Sequence, residues 1–89
     1  MTTKTWNVQV RLDEQGDDTH ADATLSLDNK MEIRGHGMSR RNPVDESEPR
    51  IGDELATARA LSDLAHQLLA AAATEIESRT QTPVDTLRL

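Results

Sequence analysis

Eighty-nine residues are too few for two independent cores, so one domain is the ceiling. The net charge of −6 is uneven: acids outnumber bases six to three in residues 1–30 and again in 51–89, while 31–50 carries four of each. A chain that draws its affinity from phosphate neutralisation usually shows a basic excess, so nucleic acid is disfavoured as a partner. The absence of cysteine removes disulfides, thiolate catalysis and Cys-type zinc sites, and it fits a reducing, cytoplasmic setting. Neither a signal-peptide pattern in Met1–Arg11 nor a run of about 18 apolar residues is present, so no membrane span is expected.

Trp6, Val8, Val10 and Leu12 alternate with Asn7, Gln9 and Arg11, which predicts a first strand over about 5–13. The polar run Asp13–Asp18 around Gly16 reads as a hairpin loop. Alternation resumes with Ala21, Ala23, Leu25 and Leu27, giving a second strand over about 19–28. A third, over about 31–40, follows from Met31 and Ile33. Parity fixes the connection between them, because a one-residue slip would put polar and apolar side chains on the same face. The consistent solution pairs Leu27 with Met31 across the loop Asp28–Lys30, and then Leu25 with Ile33, Ala23 with Gly35 and Ala21 with Gly37. Those four small residues form a bulk-free patch against which the helix or Trp6 can approach.

Residues 40–49 lack either period and contain Pro43 and Pro49, so the chain crosses from sheet to helix there. A helix over about 51–80 follows from Ile51, Leu55, Ala58, Leu61, Leu64, Ala65, Leu68, Leu69, Ala72 and Ile76, spaced by threes and fours. The expectation is that this row is the buried face, with Asp53 as N-cap or Ser47 as an earlier one. Pro83 limits continuation, leaving 83–89 as a loose tail to a single 1–82 domain. The architecture expected is α+β and two-layer: a three-stranded antiparallel meander packed on one long C-terminal helix. About 28 helical residues span ~42 Å and strands of about 8 residues only ~26 Å, so the helix should overhang the sheet. Leu68, Leu69, Ala72 and Ile76 in the overhang are the candidate face for a homodimer.

The candidate sites are few. Gly35-His36-Gly37 is a lone GxG outside any strand-to-helix turn, which favours packing over phosphate binding. Arg34, His36, Arg40, Arg41 and Arg50 are the one basic concentration and the candidate contacts for a partner or anion. Pairing with Asp45, Glu46, Glu48 or Glu54 is the plainer role for the arginines. His20, His36 and His66 match no metal-ligand spacing, and convergence is not expected, so no metal or cofactor is assigned. Arg59, Asp63 and His66 stack on one helix flank without a nucleophile or second carboxylate beside them, so no catalytic residue is assigned and no enzyme is expected.

Gly-His-Gly-Met-Ser-Arg-Arg-Asn-Pro-Val-Asp at 35–45 and Ile-Gly-Asp-Glu-Leu-Ala-Thr-Ala-Arg-Ala-Leu-Ser-Asp-Leu-Ala at 51–65 resemble a family of small actinobacterial proteins classed as a domain of unknown function. The fold of that family is similar to the double-stranded-RNA-binding domain, and the likeness runs from the Trp6 strand to Ile76. The resemblance implies a three-stranded sheet with a helix on one face and lends no catalytic residues. The chain departs from a true RNA-binding domain in having no room for a helix before Trp6, and in having acidic Gly52-Asp53-Glu54 where that architecture starts its helix with lysines. The expected function is a non-enzymatic protein-interaction module whose partner is unknown or is a second copy. The alternative is RNA binding through Arg34, Arg40, Arg41 and Arg50.

Overall fold

The computed structural model describes residues 1–28, 31–41 and 49–80. Three strands, β1 (Val8–Gln15), β2 (Asp18–Ser26) and β3 (Glu32–Arg40), form one antiparallel sheet in the order β1-β2-β3, and α1 (Pro49–Thr80) packs on one face of it. The expected α+β, two-layer architecture is therefore the one observed. The core of the Asp28–Lys30 loop, the linker at 42–48 with Ser47, and the tail at 83–89 lie outside the described residues.

Parity sets the register as argued: Leu25 pairs Ile33, Ala23 pairs Gly35 and Ala21 pairs Gly37. The Leu27 amide donates to the Met31 carbonyl at 2.8 Å, which closes that hairpin. The first hairpin is tighter than the polar run suggests. Gln15 pairs Asp18, leaving only Gly16 and Asp17 in the turn, and Gly16 takes φ +61°, which side chains on L-residues disfavour. β1 begins later than expected, at Val8, so Trp6 precedes the strand and stays half exposed.

The core is small in both senses. Ala21, Ala23, Leu25, Ala56, Ala60 and Leu64 are its buried apolar members, with Val10, Leu27, Ile33 and Leu68 packed at its margin. A Cβ on Gly35 would collide with the Ala60 carbonyl and the Leu64 amide, and one on Gly37 with the Ala56 carbonyl and the Ala60 amide. The helix backbone thus rests directly on β3 and runs antiparallel to it. Ala56, Ala60 and the backbone of Leu64 take the positions of closest approach, and the Ser39 hydroxyl donates to the Gly52 carbonyl at 2.8 Å where the helix enters.

This close approach overturns the expected helix face. Ile51, Leu55, Leu61 and Ile76 are exposed at 41–56%, while Ala56 and Ala60 are fully buried. At 100° per residue the row through Ile51, Leu55, Ala58, Ala65, Leu69, Ala72 and Ile76 lies on the side turned away from the sheet. Directly over Gly35 and Gly37 there is no depth between the backbones for a large side chain, and Leu64 and Leu25 fill the core around that contact. The helix start is also corrected: α1 begins at Pro49, whose fixed φ and missing amide suit a first turn, so Asp53 lies inside the helix and is not its N-cap.

Candidate functional site

The sheet's helix-free face is mostly polar, with Met38 exposed among charged neighbours. Asp18, His20, Asp22 and Thr24 of β2 lie beside Arg34, His36, Met38 and Arg40 of β3, because residues two apart share a face. Arg40 binds Asp18 with two hydrogen bonds, 2.7 and 3.1 Å, and these hold the Asp18 carboxyl below its ordinary range and push Arg40 up. Arg41 reaches Asp17 at 2.6 Å while its amide donates to the Asp17 carbonyl. Arg34 sits 3.5 Å from Glu32, and Arg50 is exposed in the first turn of α1. Intramolecular pairing of the strand arginines holds, but the partners are acids of the sheet. Asp45, Glu46 and Glu48 lie outside the described residues.

His20 and His36 correct the expectation of no convergence. His20 faces Met38, which makes His36 its diagonal neighbour, and His20 Nδ1 comes within 3.3 Å of His36 Nε2. His36 Nδ1 lies 2.9 Å from Asp22 Oδ1, a hydrogen bond that lowers the Asp22 carboxyl. Among the described residues no group of three or more His, Cys, Asp or Glu side chains is arranged to hold a metal ion.

The flank triplet on α1 does more than solvate the helix. Asp63 Oδ2 accepts the His36 amide at 2.8 Å, and Arg59 Nη1 donates to the Met38 carbonyl at 2.7 Å. These two side chains, one turn apart, occupy one amide and one carbonyl in the middle of the β3 edge, groups that would otherwise help to offer a template to another strand. His66 does not join them, because its Nδ1 lies 2.7 Å from the Ser62 carbonyl on its own helix.

At the opposite edge Glu14 meets Asp53 of the helix. A hydrogen bond between the two carboxyls, then the Asp53 charge, then burial raise Glu14 above its usual value. With both ionised neither oxygen can donate, and buried Asp53 Oδ1 has no partner among the described residues.

Among the described residues, and apart from the single methionines Met1, Met31 and Met38, neighbouring apolar side chains are exposed in two places. α1 covers β3 and β2 and scarcely touches β1, so Val8 and Leu12 stay about two-fifths exposed beside Trp6. The other place is the outward row of α1. Of the candidate dimer face, Leu69, Ala72 and Ile76 lie on that row, whereas Leu68 turns inward to the margin of the core. The length mismatch is present as expected: 32 helical residues reach ~48 Å against ~30 Å for a nine-residue strand, so the turns after Leu68 project past the sheet. Reading exposure from the apolar period alone missed Ile51, Leu55 and Leu61. The signal that finds them is the glycine pair on β3, which demands small residues opposite.

A small antiparallel sheet carrying one long helix, with a charge-balanced open face and a helix whose bulky row points outward, defines the class of α+β domain to which this chain is assigned. The chain belongs to the Rv2632c-like family, whose sequence profile matches residues 4–85. It is 46% identical over 81 residues to the uncharacterized protein Rv2632c of Mycobacterium tuberculosis (strain ATCC 25618 / H37Rv), covering 91% of this chain and 86% of that protein. A second relative, the uncharacterized protein Mb1767 of Mycobacterium bovis, is 44% identical over 78 residues, covering 88% and 82%. The crystal structure of Rv2632c superposes with a TM-score of 0.84 at 43% identity, over 93% of this chain and 98% of that one. These matches show the small family and its fold; the likeness to the double-stranded-RNA-binding domain is not shown by them. No described helix is long and apolar enough to cross a membrane.

Proposed function

We propose that the protein is a non-enzymatic protein-interaction module of the cytoplasm, acting through the outward face of α1. The observation that carries this reading is the exposure of Ile51, Leu55, Leu61 and Ile76 on a helix whose buried face is made of Ala56, Ala60 and Leu64. A helix that turns its large apolar side chains to solvent along its length presents a surface suited to a partner. The acid–base pair that a catalytic reading would need is otherwise occupied, Asp63 by the His36 amide and His66 by the Ser62 carbonyl. Of the arginines an RNA reading would need, Arg34, Arg40 and Arg41 sit against Glu32, Asp18 and Asp17.

The test is affinity capture from native cytoplasm with the wild-type chain and with Leu55→Lys/Ile76→Lys, each with and without nuclease. Proteins retained by the wild type, lost with the double variant and indifferent to nuclease are expected. Retention that nuclease abolishes and the double variant keeps would replace this reading with nucleic-acid binding.

A further inference from the structure

The outward row of α1 has a finer pattern than amphipathicity. Ile51, Leu55, Ala58, Ser62, Ala65, Leu69, Ala72 and Ile76 succeed one another at steps of 4, 3, 4, 3, 4, 3 and 4. This is an unbroken heptad seam with a period of about 3.5, the spacing that keeps one stripe of a helix against another helix. It lies on the side of α1 away from the sheet, where Ile51, Leu55 and Ile76 are exposed and Ala65 and Leu69 half-buried. The strands therefore do not obstruct it.

Read from either end, the seam is complementary to itself. Laid antiparallel on a second copy about a two-fold axis between Ser62 and Ala65, Ile51 meets Ile76 of the second copy and Leu55 meets its Ala72. Ala58 then meets its Leu69, and Ser62 its Ala65. Large faces small in the inner layers, and the small pairs fall at the centre, where two backbones must come closest. Leu61 flanks the seam on one side, while Leu68 stays at the margin of each copy's own core. A parallel pairing would lose this match, stacking Ala58, Ser62, Ala65 and Ala72 on themselves and leaving voids between the leucine layers.

The area suits a modest, reversible dimer. About 25 helical rises of ~1.5 Å give a seam of roughly 38 Å, and with a helix ~10 Å across this is about 380 Å² in projection. The roughly 800 Å² per partner of a standard interface is larger than this projection, so the seam suits a dimer at the smaller, concentration-dependent end of the range. The charges set a condition: Glu54 and Glu75 of opposite copies approach at the seam's ends, Glu75 already bonded to Arg79 at 3.3 Å, and each copy carries −6. Screening should strengthen the pairing.

We infer that the partner of this surface is a second copy of the chain, bound helix to helix in an antiparallel seam running from Ile51 to Ile76. The inference rests on the interaction-module reading and names the occupant. It goes beyond a contact confined to the overhang, because the whole outward face takes part.

The full chain is tested by light scattering and sedimentation from low to high micromolar concentration. A dimer is expected, tightening several-fold between 50 and 300 mM salt as an order-of-magnitude range, and weakened at least tenfold in Leu55→Lys/Ile76→Lys, whose circular dichroism should stay that of the wild type. Because the chain has no cysteine, the register is tested by oxidising a mixture of Leu55→Cys and Ala72→Cys chains. Disulfide-linked heterodimer is expected, and little product from either variant alone. A monomer throughout overturns the inference, as does a dimer in which the single variants link and the mixture gains nothing. A monomer whose foreign partners are still lost on Leu55→Lys/Ile76→Lys overturns only the occupant, whereas no effect of that variant in any assay removes the module reading as well.

Discussion

Gly35 and Ala60 are held backbone to backbone: a side chain on Gly35 would run into the Ala60 carbonyl oxygen and lie 2.8 Å from the Leu64 Cα. The contact decides what the helix can bury, since it leaves no depth for anything larger than alanine at its centre. Gly35→Ala should therefore destabilise the fold by about 1–3 kcal/mol, through overpacking with no ligand involved. Gly16→Ala is the comparison, because nothing lies within 4 Å of a Cβ there and only φ +61° opposes it, at a cost of roughly 1 kcal/mol. Urea unfolding measures both. Ala60→Gly should not rescue Gly35→Ala, since the obstacle is main chain; a rescue would show that the helix can simply withdraw.

The β-sheet was legible because its side-chain period is two: the parity of Leu27 and Met31 fixes the third strand against the second, and the pairing of Ala21 and Ala23 with Gly37 and Gly35 follows. The helix was legible as an element and misread as a surface. Apolar periodicity assumes that the largest side chains go inward, and here two glycines on β3 bring the helix backbone at Ala56, Ala60 and Leu64 against the strand instead, turning Ile51, Leu55 and Ile76 outward. The His20–His36 contact could have been read from the same register as a diagonal pair. The use of Arg59 and Asp63 could not, because an amide and a carbonyl on a strand edge leave no mark in the sequence.

Those two side chains make the second prediction. Asp63→Ala removes the acceptor of the His36 amide and Arg59→Ala the donor to the Met38 carbonyl. Each should cost about 1 kcal/mol, the net worth of one such bond at a partly solvated site. The more specific sign is local: hydrogen exchange at the His36 amide should accelerate in Asp63→Ala well beyond the change at Gly35, which faces the helix. Equal acceleration along all of β3 would mean that the strand is loosened as a whole and that the bond has no separate role.

The carboxyls predict a pH profile with two opposed limbs. Glu14 is raised above its ordinary 4.5 by Asp53, so its protonated form is favoured by folding. Its contribution is complete below that ordinary value and is lost as pH rises through the raised one. Asp18 and Asp22 are lowered from 3.8 by Arg40 and His36 respectively, so their contributions are present above 3.8 and lost as pH falls through the lowered values. Glu14→Gln should raise the melting temperature at neutral pH and flatten its decline above the carboxylate range. Asp18→Asn should lower it at neutral pH and leave it unchanged in strong acid. Thermal melts from about pH 2 to 7 separate the limbs. If Glu14→Gln melts lower at neutral pH, the two carboxyls do not repel.

The open face makes the last prediction, and its argument is one of charge already matched. Arg40 is engaged by both oxygens of Asp18, Arg41 by Asp17, and Arg34 stands beside Glu32, so each strand arginine has an acid in contact on the sheet itself. A phosphate arriving there would have to displace a carboxylate at similar distance, releasing few counterions and gaining little. Wild-type protein should therefore show no measurable affinity for double-stranded RNA at physiological salt. The acids, and not any lack of cations, are the cause assigned, which gives the prediction a second arm. Asp17→Asn/Asp18→Asn frees two arginines and should confer weak binding at low salt that falls steeply as salt is raised, as contacts to phosphate do. Fluorescence anisotropy with a short labelled duplex reads both. Micromolar binding by the wild type at physiological salt, lost on Arg40→Ala/Arg41→Ala, would show that the pairs open for phosphate and would restore this face as a nucleic-acid site.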